Sequence, residues 1–141
     1  MNKQPVIIVD ADGIIAQNDS RDPHHGKAQE IARNLVDMGA QVLYPVTAIA
    51  EANAHTQRVL NSTASAYGTA VFFSSQETEV VEVNKQTLTN ALNYFSPTTS
   101  KKNTLFDCIV AAVAEEYKAD AIFSYDKFYK TKGFKLASEL K

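Results

Sequence analysis

Pro5-Val6-Ile7-Ile8-Val9-Asp10-Ala11-Asp12-Gly13 is the stretch whose reading decides the fold. A run of β-branched residues follows a proline and stops at an acid. A half-solvated strand would alternate apolar and polar side chains. This run does not, so both of its faces are expected to be buried, as in a parallel sheet. Parallel strands need crossover connections, usually helices, and ligands gather outside the carboxyl ends of such strands. Asp10 stands directly after one of those ends.

Working outward, helices and strands alternate along the chain. Asp19 to Gly26 is polar and turn-rich. From about Lys27, Ile31, Leu35, Val36 and Met38 recur at helical spacing, and Gly39 marks the stop. Gln41-Val42-Leu43-Tyr44 reads as a second strand ended by Pro45. Thr47 is expected to cap a helix running through Ile49, Glu51 and Ala52 towards Leu60. A weaker helical stretch covers Thr63 to Phe73, and Val80 to Val83 reads as a short strand. Asn84 then caps a helix holding Leu88, Leu92 and Phe95, and Ser96 to Asn103 is a polar loop. Asn103 or Thr104 opens the strongest helix, with Leu105, Ile109, Val110, Val113 and Tyr117 on its apolar side. Ala121-Ile122-Phe123-Ser124 is a further strand, and Phe134-Lys135-Leu136 a candidate last one. This alternation predicts an α/β fold around a central parallel sheet with right-handed crossovers.

The chain has 141 residues, 45% of them hydrophobic and 21% charged, which suits one soluble domain spanning residues 1–141. The net charge of −2 argues against a simple basic nucleic-acid binder. Residues 1–100 hold six basic and ten acidic side chains, whereas residues 101–141 hold eight and six. A basic C-terminal part beside an acidic remainder suits a protein that meets both phosphates and cations, although many solvated surfaces share that pattern. Cys108 is the sole cysteine and sits in an apolar helical run, which reads as a small buried thiol in a reducing compartment. The apolar run before Asp10 is too short for a signal-peptide core, and no stretch approaches a membrane span, so a cytoplasmic location is expected.

Against this background the acids divide by setting. For Asp12, followed by Gly13, a loop or capping role is the favoured reading, whereas Asp10 is expected to project from the buried strand into the crevice. Glu51, in Thr47-Ala48-Ile49-Ala50-Glu51-Ala52, would alone pass for solvated surface, but its neighbours are small or apolar, and a carboxylate packed there needs a partner. Asp107 interrupts the apolar run Leu105-Phe106-Asp107-Cys108-Ile109. Asp is a poor helix-interior residue, although the helix dipole favours an acid in the first turn. Asp126 follows the strand at residues 121–124 and could equally cap the next segment. If the topology holds, Asp10, Glu51, Asp107 and Asp126 meet at one edge of the sheet. Crowded carboxylates take up protons or bind a cation. With oxygen ligands and no His or Cys nearby, Mg²⁺ or Mn²⁺ is expected over zinc.

Together these pieces resemble the PIN-domain family of nucleases, which includes toxins of the VapC type. The matching stretches are Val6-Ile7-Ile8-Val9-Asp10, Thr47-Ala48-Ile49-Ala50-Glu51, the run from Leu105 through Asp107 to Tyr117, and Ala119-Asp120-Ala121-Ile122-Phe123-Ser124-Tyr125-Asp126-Lys127-Phe128. The last two are the most specific, because a helical Asp some twenty residues before a strand-terminal Asp recurs in that family. The resemblance spans nearly the whole chain. It implies a three-layer α/β/α fold with a parallel sheet and Mg²⁺- or Mn²⁺-dependent hydrolysis of single-stranded or structured RNA. By position, Asp10, Glu51, Asp107 and Asp126 look like the metal-binding acids, and Ser124 like the hydroxyl residue two before the last acid. It further implies a homodimer and, for the toxin branch, silencing by a small antitoxin protein.

The sequence departs from the family pattern at Asp12, where Thr, Ser or Asn is common, so Asp12 is either an extra ligand or neutral. His24 and His25 read as surface residues of a polar loop, and His55 lacks a second histidine to make it a ligand. Two other classes compete. Val9-Asp10-Ala11-Asp12-Gly13 also looks like the opening motif of haloacid dehalogenase-like phosphatases, but Ile14 stands where Thr is usual, and Glu51 and Asp107 would go unused. The other is a catalytically silent PIN-like module that binds RNA or protein. Lys101, Lys102, Lys127, Lys130 and Lys132 flank the C-terminal acids and are candidates for phosphate contacts, or simply solubilising lysines.

Overall fold

The computed structural model describes residues 4–140. Four strands form one parallel sheet: β1 (Val6–Val9), β2 (Gln41–Pro45), β3 (Glu79–Val81) and β4 (Ala121–Phe123). Their order across the sheet is β3-β2-β1-β4. Ile7 pairs with Val42 on one side and with Ala121 on the other. The chain therefore runs outward from β1 through β2 to β3, then returns to lay β4 against the opposite edge of β1. Between β1 and β4 the direction of travel reverses, and the crevice outside their carboxyl ends is where such sheets bind ligands. Asp10 and the Ser124–Asp126 segment both lie there.

Among the described residues seven α-helices flank the sheet: α1 (Ala11–Asn18), α2 (His25–Asp37), α3 (Val46–Arg58), α4 (Thr63–Phe73), α5 (Lys85–Ala91), α6 (Leu105–Glu116) and α7 (Phe128–Thr131), giving three α/β/α layers. Ile7, Ile8 and Val9 are wholly buried, as the unbroken apolar run requires. Every residue from Cys108 to Ala114 is buried too, because α6 packs between β1, α3 and α5. A helix apolar all round belongs inside a protein, and each large side chain so buried contributes about 2 kcal/mol. Among the described residues no helix is long and apolar enough to cross a membrane.

The elements differ from the sequence-based expectation in places that bear on the site. Residues 11–18 form α1, where no helix is predicted. The Asp10 carboxylate accepts the Ala11 N–H at 2.7 Å and so starts a helix straight off the strand. Gly13 weakens that helix by about 1 kcal/mol relative to Ala, but a Cβ there would lie 2.5 Å from the Phe123 carbonyl oxygen. Only glycine lets α1 lie this close to β4. At the end of α2, Gly39 adopts a left-handed φ of 66° and Ala40 N–H donates to Leu35 O at 2.9 Å, the glycine stop that was expected.

Other boundaries move. α2 begins at His25, and β3 at Glu79. Pro45, not Thr47, is the N-cap of α3; Thr47 lies inside the helix with its hydroxyl buried and unpaired. Phe95 falls beyond the end of α5. The expected last strand is reduced to a single bridge between Ile122 and Leu136, followed by a 3-10 turn at Ala137–Glu139.

Candidate active site

Asp10 does not project into open crevice. It is 4% exposed, with one oxygen on the Ala11 amide and the other accepting the Tyr129 hydroxyl at 2.6 Å. Burial, then the charge of Asp12, hold its pKa well above the usual carboxylate range. Asp12 lies in the first turn of α1 and reaches across to the residues that follow β4. Its Oδ2 accepts the Ser124 hydroxyl at 2.9 Å and the Tyr125 N–H at 2.8 Å. Its Oδ1 is buried with no partner. The pKa of Asp12 is also raised, by burial first, against the lowering pull of the Tyr125 and Ser124 hydrogen bonds.

Asp107 is the third residue of α6 and makes a capping box. Its Oδ2 accepts the Thr104 N–H at 3.1 Å and the Asn103 amide at 3.3 Å, which satisfies an otherwise orphaned donor at the helix start. The first-turn explanation of this residue is therefore correct as far as it goes. Its other oxygen meets the Tyr129 hydroxyl at 3.5 Å. Asp126 behaves alike: Oδ1 accepts the Phe128 N–H at 2.9 Å, as a capping acid would, while Oδ2 accepts the Asn103 amide at 2.8 Å. Glu51 stands half-buried in the middle of α3. Burial, then the charges of Asp107 and Asp12, push it up to about 7.

Two residues that the sequence did not single out join these acids. Tyr129 is 0% exposed and its hydroxyl lies between Asp10 and Asp107. Asn103 bridges Asp107 and Asp126. The only hint of the first was a tyrosine amid Lys127, Lys130 and Lys132, three residues after an acid; Asn103 looked like a helix cap. Ser124, which was expected to support the site, is 3% exposed and links Asp12 to the Asp126 amide, which donates to it at 3.1 Å.

The acids thus converge at the carboxyl ends of β1 and β4, and protons are held more tightly on Asp10, Asp12, Glu51 and Asp107. The cause differs from expectation in one respect. Desolvation leads for all four, with carboxylate repulsion next for Asp10 and Glu51 and a lesser cause for Asp12 and Asp107. Among the described residues no three His, Cys, Asp or Glu side chains already stand as a ligand group for one ion, since Tyr129 and Asn103 lie between them. The donor set is nevertheless all oxygen, and the unpaired Oδ1 of Asp12 is a buried acceptor without a donor. Both features fit a hard divalent cation.

Among the remaining candidates, His24 is exposed but stacks on Tyr125 with ring centroids 4.1 Å apart and planes 8° from parallel. His25 is half-buried, its Nδ1 2.7 Å from Ala16 O, so neither is a bare surface residue. Lys101, Lys102, Lys127, Lys130 and Lys132 are all exposed. Lys130 lies 3.7 Å from Glu139, whereas Lys127 and Lys132 line a groove that begins at Asn103.

A parallel sheet with its acids at this switch point defines a class. The PIN domain family matches residues 7–135, and the chain belongs to that family. This answers the choice left open by the Asp10-Ala11-Asp12-Gly13 opening, since the match takes in Asp10, Glu51, Asp107 and Asp126 alike. Among solved structures, the chain resembles the sarcin-ricin loop cleaving toxin VapC20 of Mycobacterium tuberculosis. The TM-score is 0.77 at 18% identity, over 91% of this chain and 95% of that one. At such identity the likeness is one of fold. A search of curated proteins finds no match.

Proposed function

We propose that this protein is a divalent-metal-dependent endoribonuclease. Asp10, Glu51, Asp107 and Asp126 hold Mg²⁺ or Mn²⁺, with Asp12 as a further ligand through its unpaired Oδ1. The observation that carries the reading is the pair of bridges, Tyr129 between Asp10 and Asp107 and Asn103 between Asp107 and Asp126. Acids from opposite ends of the chain are drawn to one place at a cost in desolvation that structure alone does not require. When bound, such an ion supplies Lewis-acid polarisation of a phosphodiester and acidifies an attacking water. The chain's own groups orient and hold. Ser124 keeps Asp12 turned toward β4, Tyr129 donates to Asp10, and Asn103 holds Asp107 and Asp126 together.

RNA is the proposed substrate because the family is one of nucleases and the similar toxin VapC20 cleaves the sarcin-ricin loop. By the same analogy the protein acts in the cytoplasm as the toxin of a pair silenced by a small antitoxin protein, and forms a homodimer. Hydrolysis of RNA that stops with a chelator, returns with Mn²⁺, and falls about a thousandfold in Asp107→Asn is the expected result, since metal-assisted catalysis supplies several kcal/mol. RNA binding with no turnover in any divalent ion would instead identify a silent binding module.

A further inference from the structure

One aromatic pair is explained neither by the core nor by the acids themselves. His24 is exposed, yet its ring lies flat on that of Tyr125, with centroids 4.1 Å apart and planes 8° from parallel. It stands at the N-cap of α2, where Ser, Thr, Asp or Asn would accept a hydrogen bond from the helix. The His24 side chain makes no such bond. The backbone around it is fixed by other means: His24 N–H donates to Asp22 Oδ1 at 2.8 Å, and Ala28 N–H donates to His24 O at 2.8 Å. Among the described residues the imidazole has no hydrogen bond and no ion pair. Its contact with Tyr125 is what the side chain contributes.

Tyr125 depends on that contact. Its hydroxyl is buried without a partner, so no hydrogen bond at the tip of the ring decides where the ring lies. Phe123 meets the ring edge-on at 6.4 Å, and His24 covers a face. The backbone of the same residue holds an acid: Tyr125 N–H donates to Asp12 Oδ2, and the Ser124 hydroxyl donates to the same oxygen. Asp126 is the next residue along. A shift of the ring therefore moves the main chain that grips Asp12. We propose that His24 is a positioning residue for the acid cluster: stacked on Tyr125, it presses the Ser124–Asp126 segment onto Asp12 and so fixes Oδ1 as the oxygen left free for a cation. The grip is a matter of this chain's own contacts, whereas its consequence for a cation rests on the divalent-ion reading above. The cluster is thus closed from the loop between α1 and α2, which supplies none of its acids.

Amide hydrogen exchange of the full chain in chelator, followed by NMR, reads the grip without any ion. A stacked aromatic pair is worth about a two- to tenfold change in an equilibrium constant. In His24→Ala the Tyr125 amide is expected to exchange about fivefold faster, while amides within α6 such as Val110 keep their rates. His24→Phe keeps a flat ring and should restore the wild-type rate. Mn²⁺ affinity, read from the paramagnetic resonance of the free ion well below the melting temperature, should fall about fivefold in His24→Ala and return in His24→Phe. Because His24 is exposed and its side chain caps nothing, both variants are expected to fold. A stack that only ties the α1–α2 loop to the surface would lower the melting temperature and leave Mn²⁺ affinity alone. That result, or an unchanged Tyr125 amide in His24→Ala, would overturn the proposal. A wild-type chain that takes up no Mn²⁺, with the amide responding as expected, would refute the divalent-ion reading and leave the hold of His24 on the cluster standing.

Discussion

The two halves of the acid cluster are built differently. Asp10 and Asp12 come from the N-terminal strand and helix and are locked into the sheet: Asp10 by Ala11 and Tyr129, Asp12 by Ser124 and the Tyr125 backbone. Asp107 and Asp126 come from the C-terminal third, are half-buried, and share the side chain of Asn103 beside an open groove. The first half is held by buried groups of α1, α7 and the segment after β4. The second is tied to the Thr104 and Phe128 backbone amides, and its two acids are joined to each other only by an Asn103 amide that water can replace. The difference separates a fixed anchor from an adjustable edge, and the adjustable edge is the one that borders the groove.

The sharpest way to break this contrast is at Gly13. In an exposed helix Gly→Ala stabilises by about 1 kcal/mol. Here the new Cβ would meet a backbone oxygen at 2.5 Å. Gly13→Ala is expected to destabilise by about 2 kcal/mol net, because overpacking against backbone outweighs the helical gain. Denaturant unfolding gives the sign, and a stabilised variant would show that α1 is not pinned to β4.

A smaller effect compares the two bridges. Tyr129→Phe leaves a buried Asp10 oxygen without its donor and should cost about 1.5 kcal/mol. Asn103→Ala, at a half-buried position, should cost about 0.5 kcal/mol, since water can take over the lost bonds. Equal losses in equilibrium unfolding would erase the distinction between anchor and edge.

The pH dependence of the metal-free protein concerns both halves. Asp10, Asp12, Glu51 and Asp107 are all raised when folded, Glu51 from 4.5 to about 7. The folded chain therefore binds more protons than the unfolded one between the two values, and stability falls as pH rises through that window. In chelator the melting temperature at pH 8 should lie a few degrees below that at pH 5, roughly 1 kcal/mol in a chain this size. Cations bind the deprotonated acids, so the gain on adding Mn²⁺ should be larger at pH 8. A metal-free protein more stable at pH 8, with no added benefit of Mn²⁺ there, would contradict the proposed ion site.

The smallest effect serves as a control away from the cluster. Lys118 ends α6 in a left-handed conformation with φ 52°, while Ala119 N–H donates to Ala114 O at 2.8 Å. Glycine suits that conformation better, so Lys118→Gly should stabilise by about 0.5 kcal/mol and leave RNA hydrolysis unchanged.

Local pattern alone went a long way. The β-branched run at Val6–Val9 specified a strand buried on both faces, Gly39 specified a helix stop, and the apolar residues after Asp107 specified the buried helix. The acids themselves were legible because a carboxylate in an apolar setting is conspicuous. Each also had an ordinary explanation, solvated surface for Glu51 and capping for the others, and Asp10, Asp107 and Asp126 do cap, so capping and convergence do not exclude each other. The element that pattern missed was α1. Its glycine and two acids look like a turn; Asp10 in fact caps a helix, and the glycine is needed because that helix lies against the Phe123 carbonyl more than a hundred positions away.

By itself, the amino-acid order determined the alternation of strands and helices, the burial of the sheet and the identity of the acids, since periodicity and side-chain polarity act over a few neighbouring residues. Only the tertiary structure decided that Tyr129 and Asn103 stand among those acids, that Asp12 turns back onto β4, and that Lys127 and Lys132 share a groove with Phe128 while Lys130 turns to Glu139. Those relations depend on which strand lies beside which, and strand neighbours are chosen by the packing of the whole core.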